Sequence, residues 1–189
     1  MTIKQFNAIY LVPDDRLLFR FNTVEDKEFR FWFTRRVTLF ILAATHHLIV
    51  KSLEQTHSPE AAKAIAEFGN EAMQVNQGEQ CVTQVDVYMP ANSYPLGADP
   101  LLVIDVKCSL EQKESEEILS LDLSLPGGAN INLKLAGPTL QAMCLLLNQL
   151  REHAHWGDVP QVQEVATTAS EELEKAENTP QNPLMHFEV

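Results

Sequence analysis

Paired cysteines and long apolar runs are missing from this sequence. Its three cysteines form no CxxC pair, which indicates buried thiols in a reducing compartment rather than a disulfide framework. The most apolar stretch, residues 37–50, is 14 residues long and contains His46 and His47, so it is too short and too polar for a helix that spans a bilayer. No basic and then apolar leader opens the chain. We therefore expect a bacterial-type cytoplasmic protein that does not enter a membrane.

Positive charge is also scarce. The 189 residues carry a formal net charge of −12, and this balance opposes general binding to nucleic acids and to anionic membranes. The charge is distributed unevenly, because residues 1–57 contain eight Lys and Arg against six acids, whereas residues 157–189 contain seven acids and one lysine. The two ends of the chain therefore differ in sign, and a contact between them is electrostatically favourable.

Recognisable catalytic motifs are absent, since the sequence has neither a GxSxG element nor an HExxH pair. The glycine-rich stretch 126–128 joins two predicted strands and is therefore a hairpin turn rather than a phosphate loop. Two histidine pairs, His46 with His47 and His153 with His155, lack the i, i+4 spacing of helical zinc sites. We predict no catalytic residue, no metal ligand and no cofactor, and we keep a metal-dependent enzyme that uses these histidines only as an alternative.

Alternating apolar residues are the strongest positive signal. Residues 16–22 and 27–33 alternate with period two and predict a hairpin, after which Thr34 can cap a helix that runs to about residue 55. The same order of elements recurs after residue 100, and a shift of 102 residues places 17–48 on 119–150 without a gap. The aligned apolar residues are Leu17, Phe19, Phe21, Phe29, Phe31 and Phe33 with Leu119, Leu121, Leu123, Ile131, Leu133 and Leu135.

Two strand-strand-strand-helix units therefore predict an α+β fold. The units, at about 4–57 and 100–156, would join edge to edge in a mostly antiparallel sheet that helices cover on one face. A helix at 58–75 and a strand at 80–89 connect the units, so that residues 1–156 form one domain. Residues 157–189 hold few large apolar side chains and are predicted to be a flexible acidic tail that ends in an apolar motif.

Arg20, Arg30 and Trp32 fall on the predicted solvent face of the hairpin. A turn at 24–26 would place Arg20 opposite Arg30, which is an unfavourable pair of like charges. A register one pair along would place Arg20 opposite Glu28, and we favour this register because ion pairs are common on surfaces. As a binding surface, the face suits an acidic protein segment, since arginine binds carboxylates and tryptophan packs on apolar groups. A basic and aromatic strand face also suits single-stranded nucleic acid.

The last nine residues, QNPLMHFEV, form the apolar motif of the tail. Gln181, Leu184 and Phe187 have a Gln-x-x-Leu-x-x-Phe spacing that resembles the peptide by which many proteins dock on DNA sliding clamps. The segment lacks the second aromatic residue of the eukaryotic type and has one residue more before Phe187 than the bacterial type. With Met185, the motif is either a linear motif on a tether or an added strand that packs on its own domain or on a partner subunit.

We predict a non-catalytic adaptor or regulatory protein that binds another macromolecule, foremost a protein, through the hairpin face and the C-terminal motif. The predicted contact residues are Arg20, Arg30, Trp32, Gln181, Leu184, Met185 and Phe187. Docking of the acidic tail on the basic face, within one chain or across a homodimer, would provide autoinhibition or assembly. The alternative is a nucleic-acid-associated protein that binds single strands or a sliding clamp.

Overall fold

The computed structural model describes residues 2–68, 88–113 and 116–160. Within these ranges the chain forms seven strands and three helices. In chain order these are β1 (Ile3–Leu11), β2 (Arg16–Thr23), β3 (Glu28–Thr34), α1 (Arg35–Leu53), α2 (helical over 59–68), β4 (Leu101–Leu102), β5 (Asp105–Lys113), β6 (Glu116–Ser124), β7 (Asn130–Ala136) and α3 (Gly137–His153). Short 3-10 turns, Val12–Asp14 and Pro126–Gly128, follow β1 and β6.

The strands form two sheets that meet at the segment 101–104. The first sheet has the order β1-β2-β3-β4, antiparallel except for the parallel β3–β4 pair, and the second is an antiparallel β5-β6-β7 sheet. The Val103 N–H donates to the Trp32 carbonyl (3.0 Å), and the next N–H, of Ile104, donates to the Ser124 carbonyl (3.0 Å). One continuous segment therefore pairs first with β3 and then with β6. The predicted α+β class with mostly antiparallel strands is confirmed, and the sheets remain separate because this segment soon changes partner.

The repeat seen in the sequence is also present in the element boundaries. β1, β3 and α1 begin at residues 3, 28 and 35, and β5, β7 and α3 begin at residues 105, 130 and 137, which is the same offset of 102 residues. The two strands of each unit that carry the aligned apolar residues bury them in equivalent positions, except that Ile131 is half-buried where its counterpart Phe29 is buried. Each unit is therefore a strand-strand-strand-helix module, as the alternation predicts.

One hydrophobic core joins the two modules. The helix α1 packs against β3, β5 and α3, while α3 packs against β1, β6 and β7, so each helix reaches a strand of the other module. The largest fully buried side chains come from both modules: Leu17, Phe19, Phe21, Phe31, Phe33, Ile41, Leu119, Leu121, Leu123, Leu125, Leu133 and Leu135. Since neither module buries its apolar face alone, the two depend on each other for stability.

The helix α1 begins as the sequence predicts, with the Val37 N–H donating to the Thr34 hydroxyl oxygen (3.3 Å). By length and composition, α1 is also apolar enough to cross a membrane, a test that buried core helices pass as well. Ile41 is fully buried, and Val37 and Leu42 are nearly so. The apolar side of α1 therefore packs inside the fold.

The connection between the modules begins with α2. The Ala61 N–H donates to the Ser58 hydroxyl oxygen (3.3 Å) at its start, and Ala62 and Ala66 are its buried residues. The predicted end of this helix and residues 80–87 of the predicted strand lie outside the described residues, while residues 88 and 89 are not in a strand. The predicted domain boundaries, with a division at residue 156, stay predictions.

Candidate functional site

The outer face of the first sheet is arranged in rows across the strands. Because Leu17, Phe19, Phe31 and Phe33 point into the core, the residues between them point outward. The pairing of β1, β2 and β3 gives three rows of interest: Leu11, Arg16 and Thr34; Ile9, Leu18 and Trp32; and Asn7, Arg20 and Arg30. Leu102 of β4 extends the second row next to Trp32.

The register of the hairpin places Arg20 directly opposite Arg30. The favoured register with Arg20 opposite Glu28 is therefore wrong. The turn that sets the pairing is closed by the Thr23 N–H, which donates to the Lys27 carbonyl (2.9 Å), and Asp26 adopts a left-handed conformation with φ of 58°. The two registers differ by two residues and so keep the phenylalanines on the same face. The turn therefore selects the register, and the like-charge pair that results costs only some tenths of a kcal/mol.

The two arginines are held by a segment that crosses over them, residues 88–98, which we call the tyrosine loop. The Arg20 guanidinium lies 4.5 Å from the ring centre of Tyr88, and the Arg30 guanidinium lies 4.7 Å from that of Tyr94. Arg20 also donates from Nε to the side-chain oxygen of Asn7 (3.3 Å). Both cations therefore stack on aromatic rings of the same chain, an attraction worth about 0.5–2 kcal/mol each.

Glu28 ties this arrangement together from a fully buried position. Its Oε1 accepts a hydrogen bond from Arg30 Nε (2.7 Å), and its Oε2 accepts one from the Ala91 N–H (2.9 Å). Arg30 further donates to the Ala98 carbonyl (3.1 Å) and to the Tyr94 hydroxyl (3.3 Å). The hydrogen bond that Arg30 donates to Glu28 raises the pKa of Arg30. An ion pair does form on this face, but it runs along β3 rather than across the hairpin.

These contacts account for Arg20 and Arg30 without any ligand. Both side chains are half-buried and fix the tyrosine loop to the sheet. Burial, followed by the nearby charge of Glu28, raises the pKa of the Tyr88 phenol. The loop thus shields the arginine pair, and the part of the face that remains for a partner lies in the neighbouring rows.

The Trp32 row, defined as Ile9, Leu18, Trp32 and Leu102, is an apolar line across four strands on the outer face. Ile9 is 39% exposed, and the other three are half-buried. All four stand on the side opposite to the core. Leucine, isoleucine and tryptophan side chains that are neighbours across strands and partly exposed form the type of centre that carries binding energy in protein interfaces.

An arginine cluster, defined as Arg16, Arg35 and Arg36, borders the Trp32 row. All three are exposed, Arg16 pairs with Thr34 in the adjacent row, and Arg35 and Arg36 are the first residues of α1. Arg36 donates to the Ile104 carbonyl (2.5 Å). Cations at the positive end of a helix are unfavourable by a few tenths of a kcal/mol, so an anionic group placed beside this cluster would relieve that repulsion.

Trp156 anchors the end of the described chain beside this cluster. It is 2% exposed, its indole N–H donates to Asp15 Oδ1 (2.7 Å), and the Tyr10 hydroxyl donates to the same oxygen (2.9 Å). These bonds, first that of Trp156, lower the pKa of Asp15. Arg35 lies beside Gly157, since a Cβ built there would be 3.8 Å from Arg35 Nη2. Gly157 therefore lies next to the arginine cluster.

The histidines are the side chains that the alternative, a metal-dependent enzyme, would use. Within the described part of the chain, no group of three or more His, Cys, Asp or Glu side chains is placed to hold a metal ion. His46 and His47 lie within α1, whereas His153 ends α3 and has its ring edge-on to Tyr10, with 6.1 Å between the ring centres.

The two described cysteines are free thiols in apolar surroundings. Burial raises the pKa of Cys108 to about 12 and that of Cys144 to about 11. In a Cys81→Ser variant, which removes the third thiol, alkylation by iodoacetamide at pH 8 should be at least ~100-fold slower in the folded protein than in urea, because a pKa raised by about two units lowers the thiolate fraction that much. Equal rates in the two states would contradict the burial of these thiols.

Sequence reasoning found part of this surface. It placed Arg20, Arg30 and Trp32 on one face, and the structure brings all three together. It did not find Ile9 or Leu102, which join the row through strand pairing. The predicted motif residues Gln181, Leu184, Met185 and Phe187 lie outside the described residues.

Comparison with protein-family models, with curated proteins and with solved structures finds no match for this chain. Its function is therefore inferred from its own residues.

Proposed function

We propose that this protein is a non-catalytic adaptor or regulatory protein that binds a protein partner through the Trp32 row and the arginine cluster. One observation carries the proposal: an apolar row containing a tryptophan lies across the outer face of the first sheet, where the core does not use it. Interfaces commonly centre on such an aromatic group with polar or charged residues around it.

The chemistry of the surface favours one class of partner. The Trp32 row offers apolar contact, and the arginine cluster offers guanidinium groups that bind carboxylates in a bidentate manner. A segment with apolar side chains next to acidic ones matches both parts. The net charge of −12 opposes a nucleic-acid ligand on the rest of the surface, whereas a short acidic segment would meet mainly the local cluster.

The proposal changes the role of the residues that the sequence singled out. Arg20 and Arg30 bind the tyrosine loop and support the face from one side. Trp32 stays in the contact surface, and Arg16 and Arg36 supply the charge that Arg20 and Arg30 were expected to supply. The partner would therefore lie towards the β1–β2 turn and the start of α1.

The test is a Trp32→Ser substitution in the full chain. Proteins retained by the immobilised wild type from an extract of the source cells are identified by quantitative mass spectrometry, purified and titrated. We expect Trp32→Ser to raise the Kd of a direct partner at least tenfold, about 1.4 kcal/mol, because a tryptophan at an interface centre commonly contributes more than this. The thermal melting of the variant is recorded to show that it folds.

Lys134→Ser is the matched control, since Lys134 is exposed on the outer side of the second sheet. This variant should bind the partner like the wild type. A partner bound equally by wild type and Trp32→Ser would contradict the proposal. Binding of a fluorescent single-stranded oligonucleotide that weakens steeply with salt and is lost in Arg30→Ala would favour a nucleic-acid-associated protein instead.

A further inference from the structure

The end of the described chain lies next to the proposed binding surface. Trp156 is fixed to Asp15 in the β1–β2 turn, and Gly157 lies beside Arg35. Thr34 precedes Arg35 and pairs with Arg16, and the Trp32 row follows two residues further along both strands, a distance of about 7 Å. Pro160 is three residues beyond Gly157, so the residues that follow it begin within about 15 Å of the Arg35 guanidinium.

The composition of residues 161–189 matches the two parts of the surface. This segment of 29 residues has six glutamates against one lysine. Apart from Val162, Val165 and Leu173, its large apolar residues lie at the C-terminal end, where Leu184, Met185 and Phe187 follow five of the six glutamates. The order along the chain is therefore acidic first and apolar second, and the order on the surface, going away from Trp156, is also the arginine cluster first and the Trp32 row second.

We infer that residues 161–189 occupy this surface within the same chain, with their glutamates along the arginine cluster and with Leu184, Met185 and Phe187 against the Trp32 row. The inference rests on the proposed function of the surface and names its resident occupant. An external partner would then have to displace the segment, so that the unbound protein is held in a masked state.

Length and tethering favour the same chain over a second copy. Leu184 is 24 residues beyond Pro160 and can reach up to about 80 Å when extended, far more than the path across the cluster requires. A tethered segment meets its site at an effective concentration in the millimolar range. A weak contact made of a few apolar groups and carboxylates is therefore sufficient to keep the surface occupied.

The experiment uses the two tryptophans of the full chain. Trp156 is 2% exposed, so acrylamide quenches mainly the emission of Trp32. We call the double variant Leu184→Ser and Phe187→Ser the tip variant. We expect it to raise the Stern–Volmer constant about twofold or more, because Trp32 loses its cover. Neutralising Glu171, Glu172, Glu174 and Glu177 to glutamine should raise it as well, and NaCl should have the same effect on the wild type, since salt screens the arginine contacts.

Two controls separate docking from general effects. The double variant Val162→Ser and Val165→Ser removes apolar groups from the start of the same segment and should leave the quenching unchanged. In Trp32→Phe, the tip substitutions should have no effect on the remaining emission. Quenching that is unaffected by both the tip and the glutamate variants would overturn the inference.

These measurements also show whether the segment that covers Trp32 comes from the same chain or from a second copy. Protection of Trp32 that grows with protein concentration, together with a doubled mass in light scattering, would overturn docking within one chain. Failure of this inference can be distinguished from failure of the proposed function. If Trp32→Ser abolishes partner binding but the tip variants leave quenching unchanged, only this inference fails. If the tip variants expose Trp32 but partners bind equally to Trp32→Ser, the inference stands and the proposed function fails.

Discussion

Replacing Glu28 with alanine should lower the free energy of unfolding by about 3 kcal/mol, because the substitution leaves a buried ion pair without one partner. Glu28 is fully buried and holds both Arg30 Nε and the Ala91 N–H. Without the carboxylate, the Ala91 amide loses its acceptor and the tyrosine loop loses its link to β3. Urea unfolding followed by circular dichroism measures the first effect, and faster hydrogen exchange at the Ala91 amide measures the second.

Glu111→Ala is the matched control for this substitution. Glu111 makes a similar ion pair with Lys134 (3.0 Å), but about half of each side chain is exposed. Exposed pairs contribute little, so we expect a loss below about 1 kcal/mol. A Glu28→Ala variant that is as stable as Glu111→Ala would show that the Glu28 contacts do not fix the loop.

Trp156→Ala should cost about 4 kcal/mol of stability, since it removes a large, buried aromatic side chain. Trp156 is 2% exposed, packs edge-on against Tyr10 with 5.7 Å between ring centres, and belongs to the core shared by the two modules. Trp32→Ala removes the same side chain from a half-buried position on the outer face and should cost only about 1 kcal/mol. Thermal or urea unfolding compares the two, and equal losses would contradict the assignment of Trp156 to the core.

The indole N–H of Trp156 can be tested separately with Trp156→Phe. The phenyl ring keeps much of the apolar contact but loses the bond to Asp15, which is the main cause of the lowered Asp15 pKa. The pKa of Asp15 should therefore rise towards its ordinary value, as measured by NMR titration. In the wild type this bond stabilises the folded protein at pH values above the ordinary pKa of Asp15. The stabilisation is lost as the pH falls through the lowered pKa of the folded state. That acid-dependent loss should be smaller in Trp156→Phe.

Both substitutions act at the borders of the proposed binding surface. Glu28 and the tyrosine loop close one side of the outer face, and Trp156 is bonded to Asp15 in the β1–β2 turn on the other side. The Trp32 row lies between these borders. If residues 161–189 cover Trp32 as we infer, loss of the Trp156 anchor should also make Trp32 more accessible to acrylamide.

Local patterns in the sequence determined the elements of this fold. Period-two alternation located both hairpins, Thr34 marked the start of α1, and the offset of 102 residues identified the repeated module before any contact was known. These features are predictable because they depend on neighbours within a few residues or on the spacing of apolar side chains, which a sequence displays directly. The α+β class followed from them.

The tertiary structure alone decided how the outer face is used. The sequence shows Arg20 and Arg30 as an exposed basic pair, but the tyrosine loop, more than 50 residues further along the chain, covers them. Leu102 joins Trp32 through a two-residue parallel ladder, and Trp156 meets Asp15 from the far end of the second module. Each of these contacts joins residues that are distant in sequence, and none leaves a local pattern, because a loop residue has no periodicity and a single pairing has no preferred spacing. The sequence by itself therefore determined the modules and their cores, and the packing of the modules decided which of their outward side chains remain for a partner.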